Sequence, residues 1–331
     1  MARRAVVLMN LGAPDSPHAV RPFLYNLFSD RAIIGLPAPL RLPLAWLIAA
    51  RRASFARKSI YGRLGGASPL LANTEAQARA LEAALGDGWR CFVAMRYWHP
   101  QSHETARQIA EWGPDEIACL PLYPQFSTTT TASSLAVWKD EAARQGLTVP
   151  TRVVRCYPAA PGFIVALANR IEPRLRAALA DHSRVRLLLS AHGLPEKIVR
   201  AGDPYPQQVG ETAAALVAKL AARGLVSIDW RVCYQSRIGP LAWIGPAIAD
   251  EVRRAGGERT ALVVAPISFV SEHSETLVEL DHDYRRLAAE CGVPAYDRAP
   301  TVGTEPNFIA ALAALARGEP AIRTSEFEAA S

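Results

Sequence analysis

Short apolar runs recur along this chain and alternate with segments of helical period. Runs bounded by turn residues occur at Ala5–Met9, Cys91–Met95, Glu116–Leu122 and Arg152–Arg155, then at Val185–Ser190, Ile228–Cys233, Thr260–Ile267 and Ala295–Arg298. Several are continuously apolar, as expected of strands covered on both faces. Between them apolar residues return every three or four positions over Pro17–Phe28, Leu70–Leu85, His103–Trp112, Ser133–Gln145 and Ile164–Leu179. The same period continues over Pro206–Arg223, Pro246–Ala255, Glu275–Glu290 and Pro306–Ala316. Such alternation predicts βαβ units and parallel sheets. The strand-like runs form two groups of four with Pro150, Pro158 and Pro161 between them. The pattern therefore predicts an α/β chain of two similar doubly wound domains, residues 1–155 and 156–325, each a four-stranded parallel sheet flanked by helices. Ligands of such folds lie outside the carboxyl ends of the strands.

The length of 331 residues suits two domains with real cores. The net charge of +6 suits an anionic small substrate, an acidic partner or an acidic membrane surface, and selects none of them. No basic block interleaved with aromatics is present, so no nucleic-acid partner is expected. GxGxxG and GxxxxGK[ST] are both missing, which removes support for a dinucleotide or ATP site. Cys91, Cys119, Cys156, Cys233 and Cys291 lie far apart with no CxxC pair and read as reduced residues of an intracellular protein. The run after Arg3 and Arg4 stops at Asn10 and reads as a first strand, not a signal peptide. The segment Ala32–Ala50 is apolar, but Pro37, Pro39, Arg41 and Pro43 interrupt it, so it fails as a membrane span. With Arg51, Arg52, Arg57 and Lys58 beside it, it reads as an exposed apolar lip that holds a flat apolar ligand or rests on a bilayer, or else as core.

The chemistry concentrates where strands end. Phe269–Asp283 follows a strand-like run and places His273 and Glu275 at a strand-to-helix turn. Glu275, Glu279 and Asp283 then recur at i, i+4 and i+8. On a helix this stacks three carboxylates on one face, at a cost of roughly 0.2–0.5 kcal/mol per like-charge pair. Conducting a cation or protons is one reason to accept that cost; a solvated acidic face is the plain alternative. SAHGLP (Ser190–Pro195) sets His192 at another strand end, where an imidazole can take a proton or a metal near neutral pH. Two such sites in one domain could converge on one metal or one proton. Their spacing is not that of HExxH, and no GxSxG elbow occurs. MRYWHP (Met95–Pro100), LYPQFSTTTTASS (Leu122–Ser134) and CYQSRIGPLAWIGP (Cys233–Pro246) add aromatics beside arginines and hydroxyls at strand ends. Such clusters suit a flat, partly apolar anion, because rings stack while arginines meet carboxylates.

Together with VVLMNLGAPDS, LFSDRAIIGLP, YGRLGGASPL (Tyr61–Leu70), GDPYPQQ (Gly202–Gln208) and PISFVSEHSETLVELD, these segments closely resemble the ferrochelatase family over nearly the whole chain. The resemblance implies two Rossmann-like, chelatase-type halves around a porphyrin cleft, and insertion of Fe2+ into protoporphyrin IX as the last step of haem synthesis. It places His192 and Glu275 at the porphyrin centre as the metal and catalytic pair. His273 and Phe269 become their neighbours, and Glu279 with Asp283 a proton or metal relay. Tyr61, Arg96, Tyr123, Trp243 and Phe269 become porphyrin-binding positions. The region Ile33–Arg52 resembles the lip over the cleft, so peripheral membrane contact through residues 32–50 of a cytoplasmic protein is expected. Cluster-bearing members use cysteines in a C-terminal extension plus an internal one. Here Cys291 is the last, and Thr128 stands where animal members have the internal ligand. No [2Fe–2S] cluster or other resident cofactor is expected, Fe2+ being a substrate. Coproporphyrin, or cobalt insertion into a more anionic tetrapyrrole, is the alternative within the class. A haem carrier without a catalytic step is the alternative outside it.

Overall fold

The computed structural model describes residues 2–237, 239 and 241–319. The first half runs β1 (Arg4–Asn10), α1 (Val20–Phe28), α2 (Ala38–Phe55), α3 (Leu70–Leu85), β2 (Trp89–Met95), α4 (Ser102–Trp112), β3 (Glu116–Pro121), α5 (Ser133–Arg144) and β4 (Thr151–Val153). The second runs α6 (Pro161–Asp181), β5 (Val185–His192), α7 (Glu196–Arg200), α8 (Tyr205–Ala222), β6 (Asp229–Gln235), α9 (Ile248–Gly257) and β7 (Ala261–Pro266). A π-helical segment (Glu275–Tyr284) follows, then α10 (Arg285–Glu290), β8 (Tyr296–Arg298) and α11 (Pro306–Arg317). Residues 320–325 of the expected second domain lie outside the described residues.

Both sheets are wholly parallel and have the same order, β2-β1-β3-β4 and β6-β5-β7-β8. In each the first strand is interior, and the chain switches direction across the sheet between its first and third strands. In doubly wound sheets that switch point opens a crevice at the carboxyl ends. In the second sheet it lies between β5, which ends at His192, and β7, which leads into Phe269–Glu275.

One apolar core joins the halves. Val6, Leu8 and Leu120 of the first sheet share it with Leu187, Leu189 and Val263 of the second. Phe163 of α6 and Phe308 of α11 are fully buried between the sheets, their rings 5.8 Å apart. Helix α11 also packs on α3 and β3, so the last helix returns to the first half. Smaller clusters cover the outer faces of the sheets.

Two segments depart from expectation. The interrupted lip contains the helix α2. Pro39 falls in its first turn, where no N–H is needed, and Pro43 forfeits a single hydrogen bond. The helix is inverted: Ala45, Ala49 and Ala53 face inward, beside α1, while Trp46 is 55% and Phe55 69% exposed. Among the described residues no helix is long and apolar enough to cross a membrane. The second departure is Glu275–Tyr284, expected to be α-helical but wound as a π-helix. Its i→i+5 bonding is rare and, where it occurs, is frequent at functional sites.

Candidate active site

The site grows from the ends of β5, β6 and β7. Strand β5 ends at His192, and Gly193 follows because a side chain does not fit there. A Cβ at Gly193 would sit 2.9 Å from the Gln235 carbonyl oxygen and 3.2 Å from the Trp243 ring. The Gly193 N–H donates to that same carbonyl at 2.9 Å, drawing the ends of β5 and β6 together. His192 Nδ1–H donates to the Gly193 carbonyl at 2.6 Å, which orients the ring and leaves Nε2 facing Glu275.

After β7 the chain turns at Phe269 and brings His273 and Glu275 to the same place. His192 Nε2 lies 3.6 Å from Glu275 Oε1, and His273 Nε2 lies 3.5 Å from Glu275 Oε2. One carboxylate therefore bridges two imidazoles. The Phe269 ring packs against both, 4.6 Å from His273 and 6.4 Å from His192. His273 Nδ1 is buried without a hydrogen-bond partner, and Thr276 holds the His273 backbone through bonds of 3.0 and 3.1 Å. The cluster is reachable: 35% of the His192 and 28% of the Glu275 side-chain surface remain open.

The electrostatics follow from this packing. Burial works against charge on His192, but Glu275 outweighs it and the imidazole is pushed up to about 9. Burial likewise works against charge on Glu275, but His192 and then His273 hold it well below the usual carboxylate range. The resting pair at neutral pH is thus imidazolium and carboxylate. The imidazole expected from its unperturbed value to take a proton near neutral pH is shifted upward here, because the Glu275 carboxylate lies within 4 Å.

Glu279 lies next along the π-helix. It accepts the Ser236 N–H (2.8 Å), the Ser236 hydroxyl (2.5 Å) and the Gln235 amide (3.2 Å). Those bonds hold Ser236 at φ 64°, in the left-handed region that non-glycine residues rarely adopt. Burial and then the charge on Glu275 push the Glu279 carboxyl up, so it holds a proton more readily than its neighbour. Asp283 does not join the cluster directly. It lies near the surface and pairs with Arg63 of the first half at 2.9 Å.

The other expected contact positions divide. Tyr61 is buried beside Ser274 and Glu275, so the first half walls the cluster. Trp243 pairs with Pro195 across a β-bridge and packs over Gly193, one residue from His192. The Tyr123 hydroxyl is buried, and burial pushes it up. Arg96 is directed elsewhere. Its guanidinium donates to Asp30 (2.7 Å) and Ser133 (2.8 Å), and it lines a separate cavity of about 250 Å³ with Asn26, Gln101 and Glu141. Ile238 and Pro240 of the YQSRIGP motif lie outside the described residues.

Sequence reasoning missed the residues that stitch the halves together. Gln77 of α3 donates to the carbonyls of Val270 and Gly303, both at 2.9 Å, and accepts from Ser271. Asn73 donates to the Glu272 carbonyl at 3.0 Å. Asp203 accepts from Ser127 and from the Thr128 backbone and hydroxyl, tying the loop before α8 to the hydroxyl-rich segment that leads into α5. A signal existed for Gln77: it occupies a buried position in the apolar stripe Leu70, Ala78 and Leu81.

A ferrochelatase family model matches residues 3–319. Among curated relatives, the ferrochelatase of Caulobacter vibrioides is 55% identical over 318 residues, covering 95% of this chain and 89% of its own. That of Phenylobacterium zucineum is 56% identical, covering 95% and 90%. A Wolbachia ferrochelatase is 46% identical, covering 95% and 98%. Among solved structures, SirB from Bacillus subtilis with Fe3+ superposes at TM-score 0.56 with 11% identity, over 97% of this chain and 96% of SirB. CbiX, described as the terminal enzyme of sirohaem biosynthesis in denitrifying bacteria, gives 0.51 with 15% identity, over 96% and 98%. These two share the fold with this chain. With whole-length relatives of one name and a family model spanning both sheets, the chain belongs to the ferrochelatase family, enzymes that insert metal into porphyrin.

Proposed function

We propose that this chain inserts Fe2+ into protoporphyrin IX at the floor of the cleft, with the ring centre over the His192–Glu275–His273 cluster. The observation that carries the reading is one carboxylate held between two imidazoles at a sheet's switch point and reachable from solvent. Insertion must remove two pyrrole protons, strip water from Fe2+ and bend a flat ring. Nitrogen and oxygen ligands meet the metal, and no group of three or more His, Cys, Asp or Glu side chains among the described residues is arranged as a metal cage. A loose hold serves transfer, since tight capture would stop it. His192 rests protonated, so the arriving metal displaces its proton, as metal binding to an imidazole requires. Glu275 receives or passes on protons, and Glu279, whose carboxyl is shifted upward, takes the next place on a route that ends near the surface at Asp283. Phe269, Tyr61 and Trp243 form rigid walls that favour the distorted ring over the flat one, as differential binding of the transition state demands.

The inverted helix α2 supports the less charged porphyrin. Its outward Leu40, Trp46, Leu47 and Phe55 form an apolar rim, with Arg52 and Arg57 beside it. We read the same face as a peripheral contact with anionic bilayers for a cytoplasmic protein. The five free cysteines fit a reducing compartment, and burial raises the thiols of Cys91, Cys119, Cys156 and Cys233. We propose that no iron–sulfur cluster resides here; the absorbance and EPR spectra of protein purified without oxygen test it. Assaying protoporphyrin and coproporphyrin side by side with Fe2+ decides the substrate. A faster rate with coproporphyrin refutes the protoporphyrin assignment, and failure to exceed one turnover per protein makes the chain a carrier.

A further inference from the structure

Beyond the cleft, one buried ion network touches both ends of the segment that carries the site. Arg298, the last residue of β8, has 8% of its side-chain surface exposed. Its Nε and Nη2 donate side-on to the two oxygens of Asp281, at 2.8 and 2.7 Å. Its Nη1 donates to both oxygens of Glu272, at 2.9 and 3.0 Å. The Thr301 N–H adds a bond to Glu272 at 2.8 Å. Burial opposes charge on Glu272, but Arg298 and the surrounding donors hold its carboxyl below the ordinary value.

The placement gives this network its meaning. Glu272 directly precedes His273, and Asp281 lies within the π-helix, beyond Glu275 and Glu279. One guanidinium therefore grips the site-bearing segment just before His273 and again after Glu279. Strand β8 reinforces the grip, since the Tyr296 hydroxyl donates to the Leu280 carbonyl at 2.8 Å and Arg285 donates to the Tyr296 carbonyl at 2.7 Å. A π-helix is a rarely adopted backbone state and persists where surrounding contacts over-determine it. A planar guanidinium suits the task because it binds two carboxylates in fixed geometry, which a lysine cannot.

We propose that Arg298, through Glu272 and Asp281, is a positioning residue that sets the distances within the His192–Glu275–His273 cluster. This rests on the assignment of chelation to that cluster. Asp281→Asn and Arg298→Lys are the test, with Asp281→Glu as the conservative rescue. Steady-state Fe2+ insertion into protoporphyrin is measured beside porphyrin binding by fluorescence quenching, with circular dichroism melts to score folding. In folded Asp281→Asn, kcat should fall about 10- to 100-fold, the usual effect of losing a partner behind a reacting group, while the porphyrin Kd stays within about twofold. Asp281→Glu should recover part of that loss. Wild-type kcat in a folded Asp281→Asn overturns the proposal, and so does a loss that merely tracks the unfolded fraction. Should Arg298→Lys not fold, Asp281→Asn still decides, because it keeps the pair between Arg298 and Glu272. Lack of turnover by the wild type refutes chelation at this cluster, a result distinct from either variant outcome.

Discussion

Replacing Glu275 by Gln removes one charge and little volume, so it isolates the electrostatics of the cluster. The carboxylate lies 3.6 Å from one imidazole and 3.5 Å from the other. At an effective dielectric constant of about 20, an ion pair at this distance is worth roughly 4–5 kcal/mol. Both side chains reach solvent, with 35% of His192 and 28% of Glu275 open, so screening takes a large part of that. A remaining coupling of about 1.5–3 kcal/mol corresponds to roughly one to two pH units. The sign is fixed. Glu275 favours the charged imidazole, and without it the Gly193 carbonyl and Glu279 are left to offset burial, which disfavours charge. His192, raised to about 9 in the intact protein, should therefore titrate roughly one to two units lower, at about 7–8, in Glu275→Gln. Histidine ring resonances of metal-free and porphyrin-free protein, assigned with His192→Ala, report this directly. A His192 midpoint unchanged by the substitution would refute the coupling and, with it, the resting imidazolium–carboxylate pair.

Other outcomes follow from single contacts. Gly193→Ala should cost about 1–3 kcal/mol by overpacking, because its Cβ meets the backbone of Gln235 at 2.9 Å; an unchanged Tm and kcat would contradict the close approach. Asp30 accepts from Arg96, Tyr97, Ser133 and the Ala32 N–H. Asp30→Asn leaves Arg96 without its counter-charge and should lower stability by about 3 kcal/mol in denaturant melts. Burial opposes charge on Asp30, yet those partners hold its carboxyl below 3.8. Its stabilisation is therefore present above that value and lost as pH falls through the lower folded one, so wild type and Asp30→Asn should converge in acid. Placing acidic charge on the rim, Trp46→Glu with Phe55→Glu, should reduce co-flotation with anionic vesicles while leaving the fold intact, both side chains being exposed; undiminished flotation would remove the lip from membrane contact. Divalent affinities do not favour Fe2+ over Zn2+, so Zn2+ should also be inserted, and complete inertness toward Zn2+ counts against loose nitrogen and oxygen capture.

The parallel sheets were legible because buried strands leave continuous apolar runs, and α3 was predicted at its observed bounds, Leu70–Leu85. His192, His273 and Glu275 were legible because strand ends mark the crevice of such sheets. Helix α2 was not, since its prolines read as breaks and its bulky residues face outward over an alanine seam. The π-helix was not, because its apolar residues fit an ordinary helical period equally well. Asp283 was placed with Glu279 by that period, yet Arg63, far away in sequence, draws it aside. Arg96 was legible as a cation at a strand end, but its pairing with Asp30, two residues beyond α1, was not. Arg298 was invisible for the same reason: its partners are fixed by tertiary packing of a short edge strand.

The most direct test is anaerobic turnover of Fe2+ and protoporphyrin IX by substoichiometric protein, comparing wild type with His192→Ala while porphyrin binding is followed by fluorescence. Many haem molecules per wild-type chain are expected, together with a His192→Ala protein that binds porphyrin with little change yet loses at least about 100-fold in rate. Turnover by His192→Ala near the wild-type rate would contradict insertion at the imidazole–carboxylate cluster.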